Sequence, residues 1–342
     1  MSSFPRILIA AVLTTVLLAL GASQAMAQGP PKPGPGGDAP GAGSDPGSPL
    51  QQKPSKTAIR LGGLHHGDLT VGNRIEVRGT LRPYVDNQRV TVVLNRGKQT
   101  AKRKTIAVEP KRGNGDVGEF EFSKRLIKPG RYNVEAFHVE TGILGGSKAT
   151  SQRFHIRYPD PGLGDSGDTI KIFNSLLGDL GYVNDEGATY DEATARAVLA
   201  FHKVNKQSLT DHASSGMFKT IARGGGGYHL KHPEGGHHVE TDLSRQVMVL
   251  ANGDRVDEIY TISSGKSTTP TILGKFNFYW KQPGTNDHGM VNSVYFLGGY
   301  ATHGYADVPN YPASHGCLRS PIPDSLHIYN WIDIGDAIYV YH

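Results

Sequence analysis

Only one residue of the 342 is a cysteine, Cys317, so an internal disulfide is impossible. Beyond residue 20 no apolar stretch is long enough to span a bilayer, and no Lys/Arg tract is long enough to argue for nucleic acid. The net charge of +5 and the pI near 9.1 are spread along the chain and suit, at most, weak attraction to an anionic surface. With 37% hydrophobic and 20% charged residues the composition is that of soluble globular domains joined by polar linkers, and the length predicts two or three of them.

The N-terminus reads as an export signal. Arg6 precedes the apolar run Ile7–Leu20, and Ala25-Met26-Ala27 supplies the small-x-small cleavage pattern, which makes residues 1–27 a signal peptide. An uncleaved anchor is the rival reading, but a bilayer core needs about 20 apolar residues. No cysteine follows the run directly, which excludes a lipid anchor on cysteine. Residues 28–56, dense in Pro, Gly, Ser and Asp, have almost nothing to bury and predict a disordered tether. After cleavage no stable membrane insertion is expected, and the mature chain would be secreted. An exported chain with an odd cysteine points to intermolecular pairing or to a reactive thiol.

Three folded segments follow. Over residues 57–160 apolar side chains alternate with polar ones: Ile75, Val77 and Leu81; Val90, Val92 and Leu94; Phe120 and Phe122; Tyr132, Val134 and Ala136; Phe154 and Ile156. Period two with Gly/Pro/Asn/Asp turns predicts an immunoglobulin-like β-sandwich. Over residues 161–224 the period becomes helical. Ile170, Phe173, Leu177 and Leu180 share one face ahead of Gly181, Asp191 is placed to cap a second helix, and Met217 and Ile221 suit a short third. With Leu180-Gly181-Tyr182, Tyr190-Asp191 and Thr194 to Phe201, this stretch resembles the small three-helix peptidoglycan-binding domain, although Ser215-Gly216-Met217 departs from its pattern.

Gly224 to Gly227 reads as a hinge, and residues 225–342 predict a mostly β domain. Met248 and Leu250 lead into the hairpin turn Asn252-Gly253, with Val256, Ile259 and Tyr260 returning. Phe276, Phe278 and Trp280 suit one further strand, a short helix follows Pro323, and Ala337 to Tyr341 close the chain.

The chemistry concentrates in Thr302-His303-Gly304 and in Ser314-His315-Gly316-Cys317-Leu318-Arg319. A thiol becomes a strong nucleophile when an imidazole takes its proton or stabilises the thiolate. That imidazole must be held in one tautomer by an acceptor on its other nitrogen. A tetrahedral intermediate also needs N–H donors, which a tight glycine turn can supply. This run resembles the catalytic motif of the L,D-transpeptidase (YkuD-type) family, whose His-Gly and Ser/Thr-His-Gly-Cys positions are all matched. The resemblance extends to Asp242 to Gln246, Gly265-Lys266, Thr269-Pro270-Thr271 and Ile334 to Val340.

The resemblance implies a multidomain cell-wall enzyme without cofactor, acting on donor and acceptor stem peptides of peptidoglycan and acylated by carbapenem-type inhibitors. It implies Cys317 as nucleophile, His303 as base, and the Gly304 carbonyl as the group orienting His303. Ser314, His315 and Gly316 would form the oxyanion loop, with the amides of Gly316 and Cys317 as donors and His315 the competing base. Arg319 and Tyr300 would meet substrate. Water in place of the acceptor amine would make the enzyme a carboxypeptidase or endopeptidase, and a relic motif would leave a non-catalytic wall-binding protein. A papain-like peptidase is disfavoured, because there the cysteine precedes the histidine. His229, His232, His237 and His238 show no recognised ligand spacing, so no metal site is expected.

Overall fold

A computed structural model of the chain describes residues 52–342. The apolar run, its cleavage pattern and most of the Pro/Gly-rich segment lie outside the described residues. The tail of that segment already belongs to the fold, since the Lys53 amide donates to Ile143 O at 2.9 Å.

Among the described residues ten strands come first, beginning with β1 (Lys56–Gly62), β2 (Asp68–Thr70), β3 (Arg74–Arg82), β4 (Arg89–Arg96) and β5 (Gln99–Ala107). β6 (Glu109–Lys111), β7 (Asn114–Arg125), β8 (Gly130–His138), β9 (Ser147–Thr150) and β10 (Phe154–Arg157) complete them. They form two sheets, ordered β1-β3-β7-β6 and β2-β10-β8-β4-β5, with β9 on β8. The inward residues of both sheets meet in one core, which includes every apolar residue named above from β3, β4, β7, β8 and β10. One pairing departs from an all-antiparallel arrangement: β10 runs parallel to β2.

Helices α1 (Asp168–Gly178), α2 (Glu192–Val204) and α3 (Ser215–Ile221) follow. The Asp191 carboxylate accepts from the Thr194 amide at 2.9 Å, which satisfies an orphan donor at the start of α2. These helices do not close a core of their own. Ile170, Phe173, Val198, Phe201, Met217 and Phe218 pack with Val247, Val249 and Ile259 from the strands beyond. Nor is the glycine run a loose hinge, because Gly226 O accepts from the Tyr182 hydroxyl at 2.6 Å and from Asn205 at 3.0 Å.

The C-terminal region opens with β11 (His237–Asp242), β12 (Val247–Asn252), β13 (Arg255–Thr261) and β14 (Gly274–Asn277). It continues with β15 (Trp280–Thr285), β16 (Val291–Leu297), β17 (Tyr300–Tyr305), β18 (Leu318–Pro321), α4 (Ile322–Trp331) and β19 (Ala337–Tyr341). One sheet is ordered β13-β12-β11-β19-β14 and the other β15-β16-β17-β18. Val247 and Val249 of β12 face the helices while Met248 and Leu250 face the core between the two sheets, so both sides of this strand are covered. Phe276 and Trp280, expected on one strand, lie on two. The chain passes from one sheet to the other at Phe278, whose amide donates to Asp336 O at 3.0 Å before Tyr279 joins Tyr295 O at 2.9 Å. Among the described residues no helix is long and apolar enough to cross a membrane.

Candidate active site

β17 and β18 lie side by side in parallel, with Thr302 opposite Leu318 and His303 opposite Arg319. Side chains alternate along a strand, so one register decides both faces. Thr302 and Leu318 turn inward, where Leu318 joins the core. His303 and Arg319 turn to the other face, and Cys317 comes immediately before β18. A cavity of about 340 Å³ opens there, lined by His288, Met290, His303, Tyr305, Ser314, His315, Cys317 and Arg319.

His303 is only 4% exposed. Its Nδ1 and the Gly304 carbonyl are 2.9 Å apart. A carbonyl can only accept, so the proton sits on Nδ1 and Nε2 keeps its lone pair. Burial is the main cause that lowers the His303 pKa below its ordinary 6.5; the Gly304 hydrogen bond opposes this and the Arg319 cation adds to it. The Cys317 thiol is pushed above its ordinary 9.0, again chiefly by burial, while a backbone hydrogen bond from Ala301 and the Arg319 charge favour the thiolate. Its Sγ lies 3.5 Å from Gly299 O. Burial thus disfavours both charged forms, the thiolate and the imidazolium, with a cation near both.

Ser314 shapes the turn that carries the sulfur. Its hydroxyl donates to Cys317 O at 2.6 Å and accepts from the Gly316 amide at 3.1 Å. Gly316 has φ +116°, and a Cβ there would lie 2.7 Å from the Tyr300 ring, so no other residue fits. Gly304 is equally confined: a Cβ would meet Ser325 of α4 at 2.6 Å. The segment matched at Gly265 to Thr271 braces the turn from outside. Thr271 Oγ1 donates to Gly316 O at 2.8 Å, Thr269 Oγ1 donates to Ser314 O at 3.1 Å, and the Lys266 amide donates to Ser314 O at 3.0 Å.

The structure thus brings Cys317, His303, Ser314, His315 and Arg319 to one cavity, whose lining does not include Gly304, Gly316 or Tyr300. His315 is exposed, with Nε2 3.3 Å from Lys266 Nζ. The Gly316 amide, expected to be an oxyanion donor, is already engaged by Ser314. Tyr300 does not line the cavity; its ring packs beneath Gly316 and 6.2 Å from Phe296. Arg319 is held with its guanidinium 4.1 Å from the Tyr305 ring centre and Nη1 3.5 Å from Asp307 O.

Sequence reasoning missed His288 and Met290. They come from the β15–β16 turn, and nothing local marks that turn as facing the motif. It also missed a convergence of His237, Asp333 and Asp336, whose ligand atoms lie within 4.8 Å of one another. There the Asp336 carboxylate accepts from His237 Nδ1 and from the Asp333 amide, each at 2.7 Å, and the His237 ring stacks 3.7 Å from Trp331. These bonds already account for the cluster as a capped turn.

A half-buried thiol and an imidazole with a free nitrogen, in one cleft beside a guanidinium, define a site suited to nucleophilic acyl chemistry. Residues 236–340 match the model of the L,D-transpeptidase catalytic domain, the YkuD family, in agreement with the motif at 303–319. The chain matches none of the curated proteins with which it was compared. Among solved structures it is similar to an L,D-transpeptidase from Xylanimonas cellulosilytica, at 28% identity and TM-score 0.48 over 54% of this chain and 98% of that one. It is similar to one from Stackebrandtia nassauensis, at 19% and 0.33 over 54% and 95%. It is also similar to one from Mycobacterium tuberculosis, at 12% and 0.29 over 83% and 98%.

Proposed function

We propose that this protein is an L,D-transpeptidase that cross-links peptidoglycan stem peptides through a thioester on Cys317. The observation that carries the reading is the His303 imidazole, anchored at Nδ1 by Gly304 O and sharing a cavity with the only thiol of the chain. The family match over residues 236–340 supports the same chemistry.

In this reading the Cys317 proton passes to His303 Nε2 as sulfur attacks the carbonyl of the third, L-centred residue of a tetrapeptide stem. The developing oxyanion takes N–H donors from the turn at Cys317, since the Gly316 amide is engaged by Ser314. Collapse of the intermediate breaks the amide bond, and the imidazolium returns the proton to the departing D-alanine amine. An amine of a neighbouring stem then attacks the thioester and gives its proton to His303. The new amide forms and the thiol is restored. Arg319, packed against Tyr305, would meet the terminal carboxylate of the donor. Such a substrate places the working protein outside the cytosol, at the cell wall.

Incubation of the pure protein with tetrapeptide stems, read by mass, tests the proposal. Dimers formed with loss of one D-alanine are expected. Tripeptide alone would reassign the enzyme as a carboxypeptidase, and no product together with no adduct on Cys317 would leave a wall-binding protein.

A further inference from the structure

Lys203, near the end of α2, is 4% exposed, which is unusual for a lysine. Its Nζ donates to Gln246 O at 3.3 Å, to Ile262 O at 3.2 Å and to Thr261 Oγ1. All three acceptors lie in the catalytic region, and two are main-chain carbonyls flanking the β12–β13 hairpin. Protonated, its three N–H donors are matched by three acceptors; as a neutral amine it keeps two of them.

The contact leads directly to the thiol. The Gln246 side chain accepts from the Ser264 amide at 2.8 Å and donates to Ser264 Oγ at 2.7 Å. Ser264 O in turn accepts from the Ala313 and Ser314 amides, both at 2.9 Å. Next to it, Ser263 and Arg319 exchange backbone hydrogen bonds at 2.9 and 3.0 Å, and Ser263 Oγ donates to Tyr311 O at 2.7 Å. Residues 262–264 are therefore the rail on which the loop 311–319 hangs, and Lys203 Nζ fixes one end of that rail.

We infer that Lys203 is a positioning residue for the nucleophile, so that the helical segment contributes to catalysis by setting the turn that carries Cys317. The inference rests on the reading of Cys317 as nucleophile, and displacement of a reacting group by about 1 Å costs about 10²-fold in rate.

The test compares two reagents on the full mature chain. A carbapenem needs the sulfur, the base and the turn donors in register, whereas iodoacetamide needs only an accessible, ionisable sulfur. In Lys203→Met, with the fold checked by circular dichroism, carbapenem acylation at saturation is expected to fall by about 10²-fold. The half-saturating concentration and the iodoacetamide rate should stay as in the wild type. Lys203→Arg, which keeps donors for the two carbonyls, should recover part of the loss. Carbapenem acylation at the wild-type rate in Lys203→Met, or a parallel fall with both reagents, overturns the inference.

If Lys203→Met does not fold, Thr261→Val removes one acceptor only, and should give a smaller loss with the same split and faster hydrogen exchange at the Ala313 and Ser314 amides. Unchanged rate and exchange in that variant also overturn it. A wild-type protein that no carbapenem acylates would sink the proposed activity instead, and exchange at those two amides would still decide the role of Lys203.

Discussion

His303 Nδ1 donates to the carbonyl of its own neighbour, Gly304, at 2.9 Å. The ring is therefore oriented by the strand that carries it, and needs no acidic third member to fix the tautomer. His303→Ala should slow acylation by roughly 10²–10⁴-fold, the usual worth of a general base, and Cys317→Ala should abolish the mass adduct with the fold intact. His315→Ala should do far less, since that ring is exposed beside Lys266. A reversed order in the three rates would move the base assignment to His315.

The acidic limb of the reaction follows from the lowered His303 pKa. Burial first, then the Arg319 cation, disfavours the imidazolium, so the base stays unprotonated below its ordinary 6.5. The acylation rate should consequently hold as pH falls through 6.5 and fail only at lower pH. Arg319→Met removes the cation and should shift that limb upward. A wild-type limb at or above the ordinary histidine value contradicts this.

Stability should carry a mark of Lys203. Burial holds its pKa down to about 7 from the ordinary 10.5. Between those values the unfolded chain binds the proton and the folded chain releases it, so this residue makes stability rise with pH there and contributes its full penalty below about 7. Wild type minus Lys203→Met, measured by denaturant unfolding from pH 6 to pH 9, isolates the slope. A flat difference would mean that the ammonium is not desolvated.

Ser314→Ala removes the hydroxyl that bridges Cys317 O and the Gly316 amide. Leaving such groups unmatched costs about 1–3 kcal/mol. Thermal unfolding should register that loss, and the acylation rate should fall as the turn relaxes. An unchanged rate would show that Thr269 and Thr271 suffice to hold it.

A fragment limited to residues 225–342 should fare badly, because Val247, Val249 and Ile259 would lose the helices that cover them. Arg196 of α2 also pairs in two hydrogen bonds with Asp324 of α4, and removing one member of such a pair costs about 3–5 kcal/mol when it is buried. The fragment should unfold at lower temperature than residues 161–342 and aggregate. Equal unfolding temperatures would show that the shared core adds nothing.

What the sequence disclosed followed from local regularity. Alternation located β3, β4, β7, β8 and β10, an acidic cap located α2, and Asn252-Gly253 located its hairpin. β5 escaped notice because it is exposed nearly throughout and has no apolar period to read. The step from β14 to β15 was hidden because Phe276, Phe278 and Trp280 keep the spacing of one strand while the chain changes sheet. At the site, Cys317, His303 and Ser314 were legible as a motif. The packing of Tyr300 against Gly316 was not legible, because an aromatic near a loop looks alike whether it faces a cleft or supports a glycine. Lys203 and His288 come from distant parts of the chain, and only tertiary packing brings them near the motif.

The parallel pairing of β17 with β18 has one more implication. That ladder sets His303 opposite Arg319, two residues beyond the sulfur, while only residues 306–310 are left to travel back along the edge. Reactivity and selectivity are thereby written in separate stretches of chain, and that excursion can lengthen, shorten or change its composition, admitting a different acceptor, while the proton-transfer geometry beside it stays as it was.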